Sequence, residues 1–98
     1  MSTTQLTDLE KRVASALRLS PAATTLLLTE IQDNIATARA ELIRSGVPAD
    51  VAEGNGKLVE QAIVTYCLMN MNDEDKYEQY FSAFQYQQDN LRKSIHEE

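Results

Sequence analysis

The residues in this chain that could do chemistry are few, and their spacing decides what they can do. There is one cysteine, Cys67, and one histidine, His96. A thiol and an imidazole can form a nucleophile–base pair, but thiol reactivity needs surroundings that lower the thiol pKa. Cys67 lies in the apolar stretch Ala62-Ile63-Val64-Thr65-Tyr66-Cys67, where a thiol is usually a core residue. His96 stands three residues from the end of the sequence, so no such pair is expected. A single Cys and a single His also exclude a disulfide framework and a Cys/His zinc site. Asp73-Glu74-Asp75 is an acidic run that could hold a cation. It lacks the alternating oxygen ligands and the glycine of an EF-hand loop, and a helix start explains it, because carboxylates favour the positive helix N-terminus. Gly54-Asn55-Gly56-Lys57 has the glycines of a phosphate loop, but no strand precedes it and no Gly-Lys-Ser/Thr follows. It reads as a turn. With no acid, base or nucleophile constellation, no metal set and no cofactor motif, the residues point to a protein that is not an enzyme.

The elements around these residues are helical. Two prolines and three glycines punctuate the chain, and Gly46, Pro48, Gly54 and Gly56 fall within eleven residues. Thr7-Asp8-Leu9-Glu10 is a capping-box pattern that starts a first helix, which should stop near Leu19. Ser20-Pro21 restarts the chain, with Ser as N-cap and Pro at the first helical position. A second helix is expected from Pro21 to Ser45, with Gly46 just past its end. Leu28, Ile31, Ile35, Ala38 and Leu42 form its seam at alternating spacings of three and four. Val47 to Gly56 reads as a loop with room for one helical turn over Ala49–Glu53. A third helix is expected over Lys57–Asn70, burying Leu58, Ala62, Tyr66 and Met69 with Val59 and Ile63 beside them, and it should be the most central. Asn72 or Asp73 caps a fourth helix to about Ser94, with Tyr77, Phe81, Phe84, Gln88, Leu91 and Ile95 on one stripe. The reading is therefore all-α: one domain over residues 1–98, about four helices, one long central helix and an elongated small bundle. A second helix of about 25 residues would be roughly 37 Å long. It would overrun a compact domain of this size, whose radius of gyration is about 13 Å, and its overhang would face solvent or a partner.

Composition narrows the partners. The chain has 98 residues, 43% hydrophobic and 24% charged, the balance of a globular domain. Nine basic against fifteen acidic residues give a net charge of −6. Residues 1–49 hold five of each sign, so the excess comes from residues 50–98, with four basic and ten acidic. All six aromatic residues lie there too. An acidic domain without a basic face is a poor phosphate binder. The apolar runs are short, Leu26-Leu27-Leu28 among them, so no membrane span is expected. The first eight residues lack the pattern of a secretory signal. A soluble protein of a reducing cytoplasm fits these features.

Three side chains fall off the apolar stripes and are candidates for protein contacts. Tyr86 points to the opposite side of its helix from the aromatic stripe at 100° per residue, and tyrosine is enriched at protein interfaces. Leu26 and Ile43 lie off the seam of the second helix.

The segment Glu60-Gln61-Ala62-Ile63-Val64-Thr65-Tyr66-Cys67, followed by Asp75-Lys76-Tyr77-Glu78-Gln79-Tyr80-Phe81 and then Tyr86-Gln87-Gln88-Asp89-Asn90-Leu91, resembles the head–tail connector (adaptor) family of tailed bacteriophages. The first half is compatible: a short helix with Leu17-Arg18-Leu19, then a long helix ending in Gly46-Val47. The resemblance spans about residues 6–92. It implies an all-α structural virion protein at the head–tail junction, assembled in the host cytoplasm, with no enzyme activity and no cofactor. It also implies a ring of copies of the chain beneath the portal protein, usually twelve in the virion. Such a ring extends the DNA channel and offers a platform to the next neck or tail-completion protein. DNA passes through it without specific binding, which suits a net negative charge. A different class of function also fits a short acidic helical domain: a regulator or inhibitor that binds a single partner protein.

The charge balance carries its own test. The chain is expected not to bind duplex DNA appreciably at physiological salt. A fluorescence-anisotropy titration giving sub-micromolar affinity that falls steeply with salt is the opposite result.

Overall fold

The computed structural model describes residues 6–72 and 74–95. Asp73, His96 and the side chains of Glu74 and Ile95 lie outside the description. Among the described residues the chain is all helical. The order is α1 (Asp8–Ala16), α2 (Pro21–Leu26), α3 (Leu28–Arg44), α4 (Ala49–Ala52), α5 (Lys57–Met71), a 3-10 turn (Glu74–Lys76) and α6 (Tyr77–Ile95). The molecule measures 47 × 33 × 18 Å, with a radius of gyration of 13.8 Å.

The helix starts follow local chemistry. The Thr7 hydroxyl accepts from the Glu10 amide at 3.1 Å, and the Glu10 carboxylate accepts from the Thr7 amide at 3.0 Å, closing the capping box of α1. Glu10 is buried, and its second oxygen accepts from Gln32 Nε2, which ties α1 to α3. Ser20 Oγ accepts from the Ala23 amide, with Pro21 as the first residue of α2. The one-turn α4 forms inside the expected loop. Arg39 fastens its end to α3: one guanidinium nitrogen donates to the Ala52 carbonyl at 2.7 Å and to the Gly54 carbonyl at 3.0 Å. Those carbonyls have no intrahelical partner beyond so short a helix.

Two helices end in a Schellman motif. At α3 the Val47 amide donates to the Leu42 carbonyl and the Gly46 amide to the Ile43 carbonyl. Gly46 has φ +116°, and a Cβ there would come within 3.2 Å of Arg92 Cδ. The backbone conformation calls for glycine, and a side chain there would also displace the Arg92 stem. At α1 the Leu19 amide donates to the Ala14 carbonyl and the Arg18 amide to the Ser15 carbonyl. Here the left-handed position, φ +59°, is held by Arg18, an unusual residue for it.

The expected single helix over 21–45 is divided. Leu27 leaves helical geometry at φ −100°, ψ 9°. Just before it the Thr24 and Thr25 hydroxyls donate back to the carbonyls of Ser20 and Pro21. Backbone bonds from Leu27 to Ala23 and from Ile31 to Leu27 continue across the bend. With α3 only 17 residues long, about 25 Å, the helix does not overrun the molecule. Its length therefore gives no reason for a partner. Six helices replace about four because of this division and because of α4.

The central helix is α5, which packs on α6, α3 and α1. It buries Val59, Ala62, Ile63, Cys67 and Met69. Against them lie Leu9 and Val13 of α1, Ile31, Ala38 and Leu42 of α3, and Phe84 and Leu91 of α6. Two expected core positions move. Leu58, in the first turn of α5 beside the glycine loop, is 55% exposed. Tyr66 is half-buried, its ring tilted against Phe84 at 5.1 Å. Ile35, the middle of the expected seam, is also only half-buried, whereas Ile31 is fully buried.

This difference within one seam is measurable. Ile31→Ala should lose about 2–5 kcal/mol of unfolding free energy, because a fully enclosed side chain leaves a cavity. Ile35→Ala should lose about half as much, since part of its surface is already in water. Denaturant unfolding of the two variants side by side checks the order.

Candidate functional site

Among the described residues those that could do chemistry do not assemble, and His96 and Asp73 lie outside the description. Cys67 is fully buried in α5, and burial pushes its thiol up to about 12. A thiol held protonated at physiological pH is not a nucleophile. Gly54 and Gly56 form the turn that enters α5, with the Gly56 carbonyl accepting from the Glu60 amide. Among the described residues no group of His, Cys, Asp and Glu side chains comes together as a metal site.

Surfaces suited to contacts are well developed. Tyr86 is 69% exposed on the outer face of α6, Leu26 is 83% exposed at the end of α2, and Ile43 is 38% exposed near the end of α3. These three are not brought together. Leu26 closes α2, Ile43 lies near the far end of α3, and Tyr86 lies on α6.

Sequence reasoning missed a further pair. Tyr77 and Phe81 belong to the stripe of the last helix that is expected to be buried, but they are 42% and 41% exposed. Their rings stack at 6.1 Å with 12° between planes. They edge a groove of about 570 Å³ between α6, the end of α5 and the last turns of α3. Tyr66, Met69 and Phe84 also line it, and Tyr77 to Arg92 spans about 22 Å along α6. Two ion pairs within single helices, Glu41–Arg44 and Asp89–Arg92, stand beside it. Arg92 also donates to the Ser45 carbonyl at 3.3 Å, joining the ends of α6 and α3. The stripe correctly gives the face of α6 that carries the rings. It cannot say that α3 ends before covering them.

Two other concavities occur. One, of about 880 Å³, lies between α1, α3 and the start of α5. Its lining is mixed, and several of its charges are engaged: Arg12 pairs with Glu60 at 2.9 Å, Glu10 holds Gln32, and Arg39 holds α4. The other, of about 450 Å³, lies between α1 and α2 and is mostly apolar. No helix among the described residues is long and apolar enough to cross a membrane.

Comparison of the chain with family models, with characterised proteins and with solved structures returns no match. The functional reading therefore rests on the residues and their geometry.

Cys67 makes the chemistry of the core testable. Its pKa lies above that of an unfolded thiol, near 9.0, so the unfolded state loses this proton first as pH rises. Its stabilising contribution is complete below pH about 9 and is lost progressively toward pH about 12. The Tyr66 phenol, raised mainly by burial, acts in the same direction. The stability difference between the parent and Cys67→Ala should therefore shrink as pH rises above 9, as read from urea unfolding at each pH. The parent thiol should also react slowly with a disulfide reagent at pH 8 until denaturant is added.

Proposed function

We propose that this protein is a structural subunit of a tailed-bacteriophage virion, a head–tail connector. In this reading, copies of the chain form a ring below the portal protein. The ring continues the DNA channel and receives the next neck or tail-completion protein. The observation that carries the reading is the distribution of exposed apolar side chains. Leu26, Ile43, Leu58, Tyr86 and the Tyr77–Phe81 pair sit on four helices and on separate parts of a slab only 18 Å thick. A protein with one partner needs one patch. Large apolar side chains on several faces suit a subunit that meets neighbours on two sides and other proteins above and below. The residue pattern over 60–67 and 75–91 and the all-helical fold agree with this reading.

Tyr86 is a contact residue in this scheme. Its fold role is small, since most of its ring is in water. Tyr86→Asp should leave the circular dichroism spectrum and melting temperature close to the parent's. It should nevertheless weaken ring formation or attachment to portal-bearing heads, because the new carboxylate must be desolvated in the contact. Native mass spectrometry of the chain, alone and with portal-bearing heads, is the decisive measurement. Rings of many copies are expected. A monomer or dimer that engages one partner protein identifies the regulator function instead.

A further inference from the structure

The apolar cleft between α1 and α2 and the aromatic pair on α6 are complementary in charge, and the described residues cover neither. Leu6, Ala14, Leu19, Pro21 and Leu28 give the cleft its apolar lining. Lys11 is the only charged residue among those that line it. The aromatic pair has the opposite setting. Tyr77 and Phe81 stack on each other at the start of α6, and the exposed carboxylates Asp75 and Glu78 stand in the same two turns. Among the described residues the ion pairs are Arg12–Glu60, Arg44–Glu41 and Arg92–Asp89. Lys11, Asp75 and Glu78 take no part in them.

One chain cannot join these two surfaces. The cleft lies between α1, α2 and the first residue of α3, the pair stands at the start of α6, and no residue lines both the cleft and the aromatic groove. A second copy can join them. We infer that the Tyr77–Phe81 pair of one copy inserts into the α1–α2 cleft of the next, with Asp75 and Glu78 facing Lys11. This contact deepens the ring reading above and rests on it. Because the two surfaces differ, the contact is heterologous: each copy gives its aromatic pair to one neighbour and its cleft to the other, an arrangement that closes into a ring when the rotation allows. The cavity of about 450 Å³ is large enough for aromatic side chains. The exposed two-fifths of these two residues supplies an anchor within a standard interface of about 800 Å² per partner.

The test uses charge reversal and mixing. Lys11→Glu and the double variant Asp75→Lys/Glu78→Lys each change only exposed side chains, and circular dichroism establishes that both are folded. Each alone should form rings at least tenfold less than the parent at low salt, by native mass spectrometry or sedimentation velocity. Mixed in equal amounts they should recover rings, because every contact then pairs a carboxylate with an ammonium group. Phe81→Ala should weaken assembly without recovery by either reversed chain. If the parent forms rings and both reversed chains do so equally well, the contact is wrong while the ring reading stands, and the cleft has another occupant. If both reversed chains fail and their mixture does not recover, the contact is also wrong. If the parent forms no ring alone or with portal-bearing heads, the ring reading fails and this contact fails with it.

Discussion

The structure depends on covering α5 from several directions at once. Its buried side chains, Val59, Ala62, Ile63, Cys67 and Met69, together with the half-buried Val64, Leu68 and Met71, extend around much of the helix circumference. Such a helix cannot be served by one neighbour, so α6, α3 and α1 all pack on it. Small residues allow the close approach: Ala62 of α5, Ala38 of α3 and Ala52 of α4 are all fully buried. The bulk that fills the remaining space comes from Ile31, Leu42, Ile63 and Val13.

Polar groups then hold the covering helices in place. Glu10 both caps α1 and binds Gln32 of α3, so a local helix start and a tertiary contact use the same carboxylate. Arg39 supplies donors to the carbonyls at the end of α4, which would otherwise lack partners. At the other end of the molecule Gly46 turns the chain out of α3 where the stem of Arg92 lies against it, and the Arg92 guanidinium reaches the Ser45 carbonyl. The two left-handed residues, Gly46 and Arg18, each direct the next residue, Val47 or Leu19, into the core or against it.

Because α5 takes its cover from these few helices, other apolar surface is left over. The face of α6 that carries Tyr77 and Phe81 extends past the last turn of α3. The division at Leu27 turns α2 against α1 and leaves a cleft between them. The apolar surfaces available for assembly are thus consequences of where the core is complete. They are distributed over the molecule instead of gathered in one patch.

The sequence by itself determined the helical class, the capping box at Thr7–Glu10, the Ser20-Pro21 start, the Gly46 stop and the central place of α5. Each is set by interactions within a few residues, or by an apolar period that survives in any context. It also determined that Tyr86 and Leu26 face away from the core, since phase alone places them. Only the tertiary structure decided the rest. No proline or glycine marks the bend at Leu27, and the helical period runs through it. Leu58, Tyr77 and Phe81 lie on apolar stripes like those of Phe84 and Leu91, yet they are exposed because no helix passes over them. The same limit explains why Ile31 and Ile35 differ. A period of three and four residues gives the direction of a side chain, whereas burial depends on which distant segment arrives to meet it.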